Sequence, residues 1–426
     1  MLTPGQQIDL AIEKPAVGGR MIARHEGQVL LVMGAIPGER VRARIERVER
    51  KLAFATTTDV LDPSADRRGN SVDLLCGGCL YSHITYPRQL AIKSDVVVDS
   101  FARIGCIHLD DAVSVAASPE EGYRLRARFH VRDGRAGFYR EGTHDLCDIS
   151  QTRQLLDASV TAVDETVATL RTAGISPTGI ELTENLSGNQ RIVHLELAPG
   201  RGADASVIER VLGPLITGCT AGGTGAALGS AGSPVVTDRL EALTAGKSRG
   251  VLNRHATSFF QANRFLLPSL VEAVIAEVPR DGDVLDLYAG VGIFSAALAG
   301  AGRHGITAVE GDRSSGADLK SNAAQFGTAI RVAIGSVESF LSGHRRRPAA
   351  IIVDPPRTGV SREALRAVLA QRASMVIYVS CDPPTMARDA RRLVDAGCRL
   401  RSLQSFDLFP NTPHVESMGV FERGRE

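Results

Sequence analysis

The chain has 426 residues, 43% hydrophobic and 23% charged, with a net charge of only +1. That length predicts two or three domains with sizeable cores, and the charge balance excludes a global basic field, so any nucleic-acid surface must be a local patch. Met1-Leu-Thr-Pro-Gly5 lacks the basic start and apolar run of a signal peptide, no apolar stretch reaches the about 18 residues of a membrane span, and seven scattered cysteines do not make a disulfide framework. The expectation is a cytoplasmic protein with no membrane segment.

Residues 1–58 are all-β by pattern. Strand-like runs at Gln7–Glu13, Gln28–Met33, Arg40–Val48 and Leu52–Thr57 are separated by turn signals at Gly18-Gly19, Glu26-Gly27 and Pro37-Gly38. Val41, Ala43 and Ile45 alternate with Arg40, Arg42 and Arg44, giving one apolar and one basic face. The run from Gly18-Gly19 through Met21-Ile-Ala-Arg-His25, followed by Ile36-Pro-Gly-Glu-Arg-Val41, resembles the TRAM module, an OB-like barrel that binds RNA. Asp62–Asn70 is polar and turn-rich, the pattern of a linker. Cys76-Gly-Gly-Cys79 has the spacing of a zinc, iron–sulfur or redox turn, but a full metal site needs two more ligands. An amphipathic helix is predicted over Gln89–Ile104, apolar at Leu90, Val97, Phe101 and Ile104 and stopped by Gly105.

In Tyr123–Arg132, Tyr123, Leu125, Ala127, Phe129 and Val131 share one strand face, and Arg124, Arg126, Arg128, His130 and Arg132 the other. Crowding so many arginines on one face is costly unless an anion answers them, and the favoured reading is contact with RNA phosphate; the alternative is a solvated face. Thr152–Ala173 is helical by pattern and Ile192–Leu197 an alternating strand. The glycines from Gly218 to Gly232 predict a flexible loop. They are not a phosphate loop, because the only Gly-Lys-Ser, at Gly246–Ser248, has Glu241 where the earlier glycine belongs.

After Ser258-Phe-Phe-Gln261-Ala-Asn263 and a helix over Phe265–Val278, strands and helices alternate to the end, as in a doubly wound α/β domain. Asp283–Gly292 runs a strand into a glycine turn, where Gly290 lets the backbone approach a cofactor, and Glu310 ends the next strand in position for ribose hydroxyls. The third glycine of a dinucleotide fingerprint would fall on Ser295, so Asp286-Leu-Tyr288-Ala-Gly290-Val-Gly292 favours S-adenosylmethionine over NAD. Two further buried strands end in a polar residue and two prolines: Ala350–Val353 at Asp354, and Val376–Ser380 at Cys381. A thiol at a strand's carboxyl end beside a carboxylate is a candidate nucleophile; the alternative is a buried structural cysteine.

The order Phe260-Gln261-Ala-Asn263, Asp286-Leu-Tyr288, Val309-Glu310-Gly311, Asp354-Pro-Pro-Arg357, Val379-Ser-Cys381-Asp-Pro383 and His414-Val-Glu416-Ser-Met418 resembles the uracil-5 RNA methyltransferase family. The resemblance spans most of the chain and is weakest over 155–250. It implies an α/β protein with a C-terminal doubly wound, Rossmann-like methyltransferase domain (251–426), an N-terminal OB-like barrel (1–58) and a central α+β domain (59–250). It further implies S-adenosylmethionine contacts at Gln261, Tyr288, Glu310 and Asp354, Cys381 as nucleophile and Glu416 as base, with RNA as partner and a monomer as the working form. The chemistry suits these residues. Carbon 5 of uracil becomes nucleophilic once a thiolate adds at carbon 6, and a carboxylate must then remove the carbon 5 proton. The target base must be flipped out of its stack. Cluster-bearing members of the family carry four cysteines in the region of Cys76 and Cys79. Here Asn70 stands at the first position, the last would fall near Thr152, and Cys147 lies about five residues early, so no stable iron–sulfur cluster is expected. Two competing functions are a cytosine-5 RNA methyltransferase, disfavoured because Cys381 follows Ser380 and not proline, and a non-catalytic RNA-binding or folding factor.

Overall fold

The computed structural model describes residues 2–69, 72–198, 205–223, 226–343 and 347–424. Strands Gln7–Pro15, Met21–His25, Gln28–Met33, Arg40–Val48 and Leu52–Asp62 close into a barrel. Alternation turns Val41, Ala43 and Ile45 inward against Leu10, Leu30 and Val32. The outward Arg42 meets Asp9 across the antiparallel register at 2.8 Å. The last strand runs past Thr57 to Asp62 because it pairs along the whole of Arg40–Val48. The expected linker is anchored: Arg67 holds the buried Glu39 at 2.6 Å, and Arg68 holds Glu120 at 2.6 Å. Asn70 lies outside the described residues.

The central sheet has seven strands in the order Ala226–Gly232, Gly218–Gly223, Arg191–Glu196, Gly179–Glu184, Arg126–Arg132, Arg135–Tyr139, Leu146–Asp148. Helices Asp157–Thr172 and Ala205–Val211 cover its apolar face. One expectation fails here, and a second is narrowed. The glycine-rich stretch is a strand pair and not a loop, because close backbone approach replaces side-chain packing: a Cβ at Gly218 would overlap the Ser233 carbonyl. Part of the arginine face has carboxylate partners within the protein. Arg126 pairs with Glu181 on the adjoining strand, and Arg128 with Glu196 one strand beyond at 2.6 Å, while Arg124 donates to Gln154 at 2.7 Å. Arg126→Ala leaves Glu181 buried without its cation and should cost about 2 kcal/mol in chemical denaturation; an unchanged midpoint would return this arginine to the RNA-facing assignment.

The C-terminal sheet has eight strands in the order Ile330–Ile334, Ile306–Glu310, Val284–Leu287, Ala350–Val353, Met375–Ser380, Glu416–Arg423, Cys398–Phe406, Val115–Ala116. The five from Ile330–Ile334 through Met375–Ser380 are parallel, and Glu416–Arg423 runs antiparallel to both its neighbours. Two apolar clusters, one on each face, bury the flanking helices, among them Leu267–Glu277, Ile293–Gly300, Arg362–Ala370 and Pro383–Asp395. Residues 86–116, grouped with the central unit by sequence, add an edge strand here and a helix, Tyr86–Arg103, packed on Pro383–Asp395. That helix buries Ile92, Val96, Val97 and Phe101 together with the polar Gln89 and Lys93, while Leu90 is half-buried and Ile104 exposed. Apolar periodicity found Val97 and Phe101 but missed Gln89 and Lys93, because it cannot register polar side chains that have buried partners. Among the described residues no helix is long and apolar enough to cross a membrane.

Candidate active site

The parallel strands bring 286–292, Glu310, 354–357 and 380–382 to one rim at their carboxyl ends. Strand Met375–Ser380 ends at Cys381 because Asp382 begins the next helix: its carboxylate accepts the Thr385 N–H at 2.8 Å, and prolines occupy the first turn. Ser380 pairs with Ser417, so Glu416 at the start of the last strand stands beside Cys381. The Arg357 guanidinium stands close enough to the Cys381 thiol to favour its ionised form. Burial, then the Glu416 charge, push the thiol up to about 11, and Arg357 pulls the other way. Burial and the neighbouring Asp354 hold Glu416, only 2% exposed, well above the usual carboxylate range. Asp354 is itself pushed up to about 7 by burial and Asp286, and accepts from the Gln261 amide at 3.4 Å. Cys381, Glu416, Asp354 and Gln261 thus meet in one place, and a carboxylate made this basic is suited to accept a proton.

Tyr288, Gly290 and Glu310 line the adjoining end of the rim. The backbone turns left-handed at Tyr288 (φ +60°), Gly290 (φ +56°) and Gly292 (φ +88°) before helix Ile293–Gly300. Glu310 fixes this turn, accepting from the N–H groups of Gly290 and Asp312 at 2.7 Å each. Ser295, where a dinucleotide-binding turn has glycine, donates its N–H and Oγ to Asp286 Oδ2 at 3.1 and 2.6 Å. These residues fit S-adenosylmethionine. No atom lies within 4 Å of where a Gly290 Cβ would stand, which leaves room for a ligand against the backbone. The buried Asp286 Oδ1 has no hydrogen-bond partner and suits a cationic amino group.

Sequence reasoning gave no role to Arg357 or Asp286, although both stand inside the motifs that marked the site; motif position did not reveal that the Arg357 charge acts on the thiol. The consequence is testable. Iodoacetamide should alkylate Cys381 faster as pH rises from 7 towards 11, since the thiolate is the reactive form and its cation partner only partly offsets burial. In Arg357→Ala the profile should move to higher pH; a profile that stayed in place would remove Arg357 from contact with the sulfur. Phe259 is a second surface residue the motifs did not assign, 61% exposed with the Arg126 guanidinium over its ring at 5.5 Å.

Cys76, Cys79 and Cys147 form a separate buried cluster. Cys147 is early in sequence, yet strand Leu146–Asp148 pairs with Arg135–Tyr139 and carries it to Cys76, where the two form a disulfide with Cα atoms 5.8 Å apart. A four-thiolate iron–sulfur site does not fit these donors. Two sulfurs are bonded to each other, and burial pushes the Cys79 thiol up to about 12. Anaerobically purified protein should contain no stoichiometric iron; about four irons per chain would overturn this.

The family model described as tRNA (Uracil-5-)-methyltransferase matches residues 239–424, and the TRAM domain model matches residues 2–58. A curated Streptomyces coelicolor protein described as an uncharacterized RNA methyltransferase is 32% identical, covering 98% of this chain and 93% of its own length. A 23S rRNA (uracil(1939)-C(5))-methyltransferase of Halomonas elongata is 32% identical, covering 97% of this chain and 89% of its own length. Among solved structures, Pyrococcus abyssi tRNA (uracil-54, C5)-methyltransferase in complex with S-adenosyl-L-homocysteine superposes with a TM-score of 0.77 at 21% identity, over 97% of this chain and 99% of that one, a likeness of fold. With a TRAM barrel in front and relatives at this identity along nearly its whole length, the chain belongs to the family of S-adenosylmethionine-dependent RNA uracil-5 methyltransferases.

Proposed function

We propose that this protein methylates carbon 5 of a uridine in ribosomal RNA through a covalent bond between Cys381 and carbon 6 of the base. The observation that carries the covalent reading is the placement of Glu416 and Arg357 against Cys381. Arg357 favours the thiolate, whose sulfur adds to carbon 6 and sends an electron pair into the ring enolate. S-adenosylmethionine, held by Gln261, Tyr288, Gly290, Glu310 and Asp354, supplies the electrophilic methyl group that carbon 5 then attacks. Glu416 takes the proton from carbon 5, the carbon 5–carbon 6 double bond re-forms, and the sulfur leaves as thiolate. The like-charge pressure of Asp354 and the burial that raise the basicity of Glu416 both assist that last step.

Ribosomal RNA is favoured because the Halomonas relative, matching along most of its length, is named for 23S rRNA. The barrel would grip the RNA while the base enters the C-terminal site, and a cytoplasmic monomer would suffice for both. Nucleoside mass spectrometry of rRNA and tRNA fractions from a deletion strain tests the reading. Loss of 5-methyluridine from rRNA is expected; its loss from tRNA would reassign the substrate, and loss of 5-methylcytidine would replace the uracil chemistry itself.

A further inference from the structure

Between strands Cys398–Phe406 and Glu416–Arg423 of the C-terminal sheet, residues 407–413 lead the chain across to Glu416. This segment has no regular structure, yet its backbone polar groups are held from outside. Asp407 N–H donates to the Ala116 carbonyl at 2.9 Å. The Leu408 carbonyl accepts from the buried Asn263 at 3.1 Å, that of Phe409 from Lys93 Nζ at 3.1 Å, and that of Pro410 from the Tyr123 hydroxyl at 3.3 Å. Asn411 N–H donates to Gln89 Oε1 at 2.9 Å, and its carbonyl accepts from Tyr81 N–H at 2.9 Å. The Asn411 side chain is held as well, by Gln89 at 2.9 Å and Arg68 at 2.7 Å.

At the centre is an ion pair between Lys93 and Asp407, 1% and 0% exposed at their side chains. Taking both charges out of water is costly, and a hydrophobic pair of equal volume would serve stability as well or better. A methionine in place of Lys93 could fill the volume, but it could not donate to both Asp407 and the Phe409 carbonyl. Lys93 and Gln89 lie one turn apart on helix Tyr86–Arg103, so a single rigid element grips the segment at Asp407, Phe409 and Asn411.

We propose that the buried pair Lys93–Asp407, together with Gln89, positions Glu416 for proton removal by fixing the segment that delivers it. This rests on Glu416 being the base of the proposed reaction. Lys93, Asp407 and Gln89 are positioning residues and touch no reacting atom. A misplacement of about 1 Å at a reacting group costs on the order of 100-fold in rate, so the clamp should act on kcat, at the step after methyl transfer.

The test uses full-length enzyme, unmethylated ribosomal RNA from a deletion strain and S-adenosylmethionine labelled in its methyl group. Lys93→Met removes the central cation. Because it strips the buried Asp407 of its cation and can prevent folding, Asn411→Gly is made beside it. Asn411 sits at φ +63°, a conformation glycine adopts freely, so that variant keeps the backbone and loses only the side-chain grips. Folded variants should lose about 100-fold in kcat with KM for RNA and cofactor nearly unchanged, and should accumulate labelled RNA bonded to protein on a denaturing gel. A purely structural clamp would lower the melting temperature without accumulating that species. Wild-type turnover in either folded variant, or lost turnover without the bonded species while Glu416→Gln accumulates it, overturns the inference. If Glu416→Gln itself accumulates none, the base assignment falls and the inference with it.

Discussion

Replacing Cys381 by alanine should abolish methylation, by about four orders of magnitude or more, while leaving cofactor affinity close to that of the parent. The thiol stands at the end of strand Met375–Ser380, facing Arg357 and Glu416, whereas the residues proposed to hold the cofactor lie on the turn after Val284–Leu287, at Glu310 and at Asp354 with Gln261. Deleting the sulfur removes the bond to carbon 6 and leaves that surface untouched. The measurements are methyl incorporation into ribosomal RNA and calorimetric binding of S-adenosylhomocysteine. Appreciable turnover without the thiol would sink the covalent mechanism; lost cofactor binding would move Cys381 into the cofactor site.

Glu416→Gln should trap the enzyme on its substrate. Addition of the sulfur and methyl transfer precede proton removal, so a carboxamide, which cannot accept the carbon 5 proton, halts the cycle with methylated RNA bonded to Cys381. A labelled RNA band of raised mass, dependent on both cofactor and Cys381, is the expected readout. The substitution also removes the carboxylate charge that opposes ionisation of the Cys381 thiol. Alkylation of the free variant should therefore be faster than that of the parent at a given pH. A variant with slower alkylation, or an inactive one that forms no bonded species, would contradict the role given to Glu416.

Local chemistry made much of this legible. The barrel core, the alternation of strands and helices after Ser258, and the strand ends at Asp354 and Cys381 follow from period-two patterns, apolar runs and proline stops, which act over a few residues. Strand ends also marked Asp354 and Cys381 for one rim, since the carboxyl ends of parallel strands share an edge, whereas Gln261 and Glu416 were marked only by the family resemblance. It could not show what lies opposite a side chain from a distant part of the chain. The arginines of Arg126–Arg132 favoured an anion, but only the pairing of that strand with Gly179–Glu184 supplied Glu181 as the partner for Arg126. Cys147 was out of step in number and in contact in space, because a strand pairing set its distance from Cys76. Helix Tyr86–Arg103 concealed Lys93 and Gln89 on its buried face, and their partners Asp407 and Asn411 lie more than 300 residues away. Charge pairing and burial are decided between such distant segments, so the tertiary structure alone determined which polar groups are neutralised, which are left basic, and which hold the active-site segment in place.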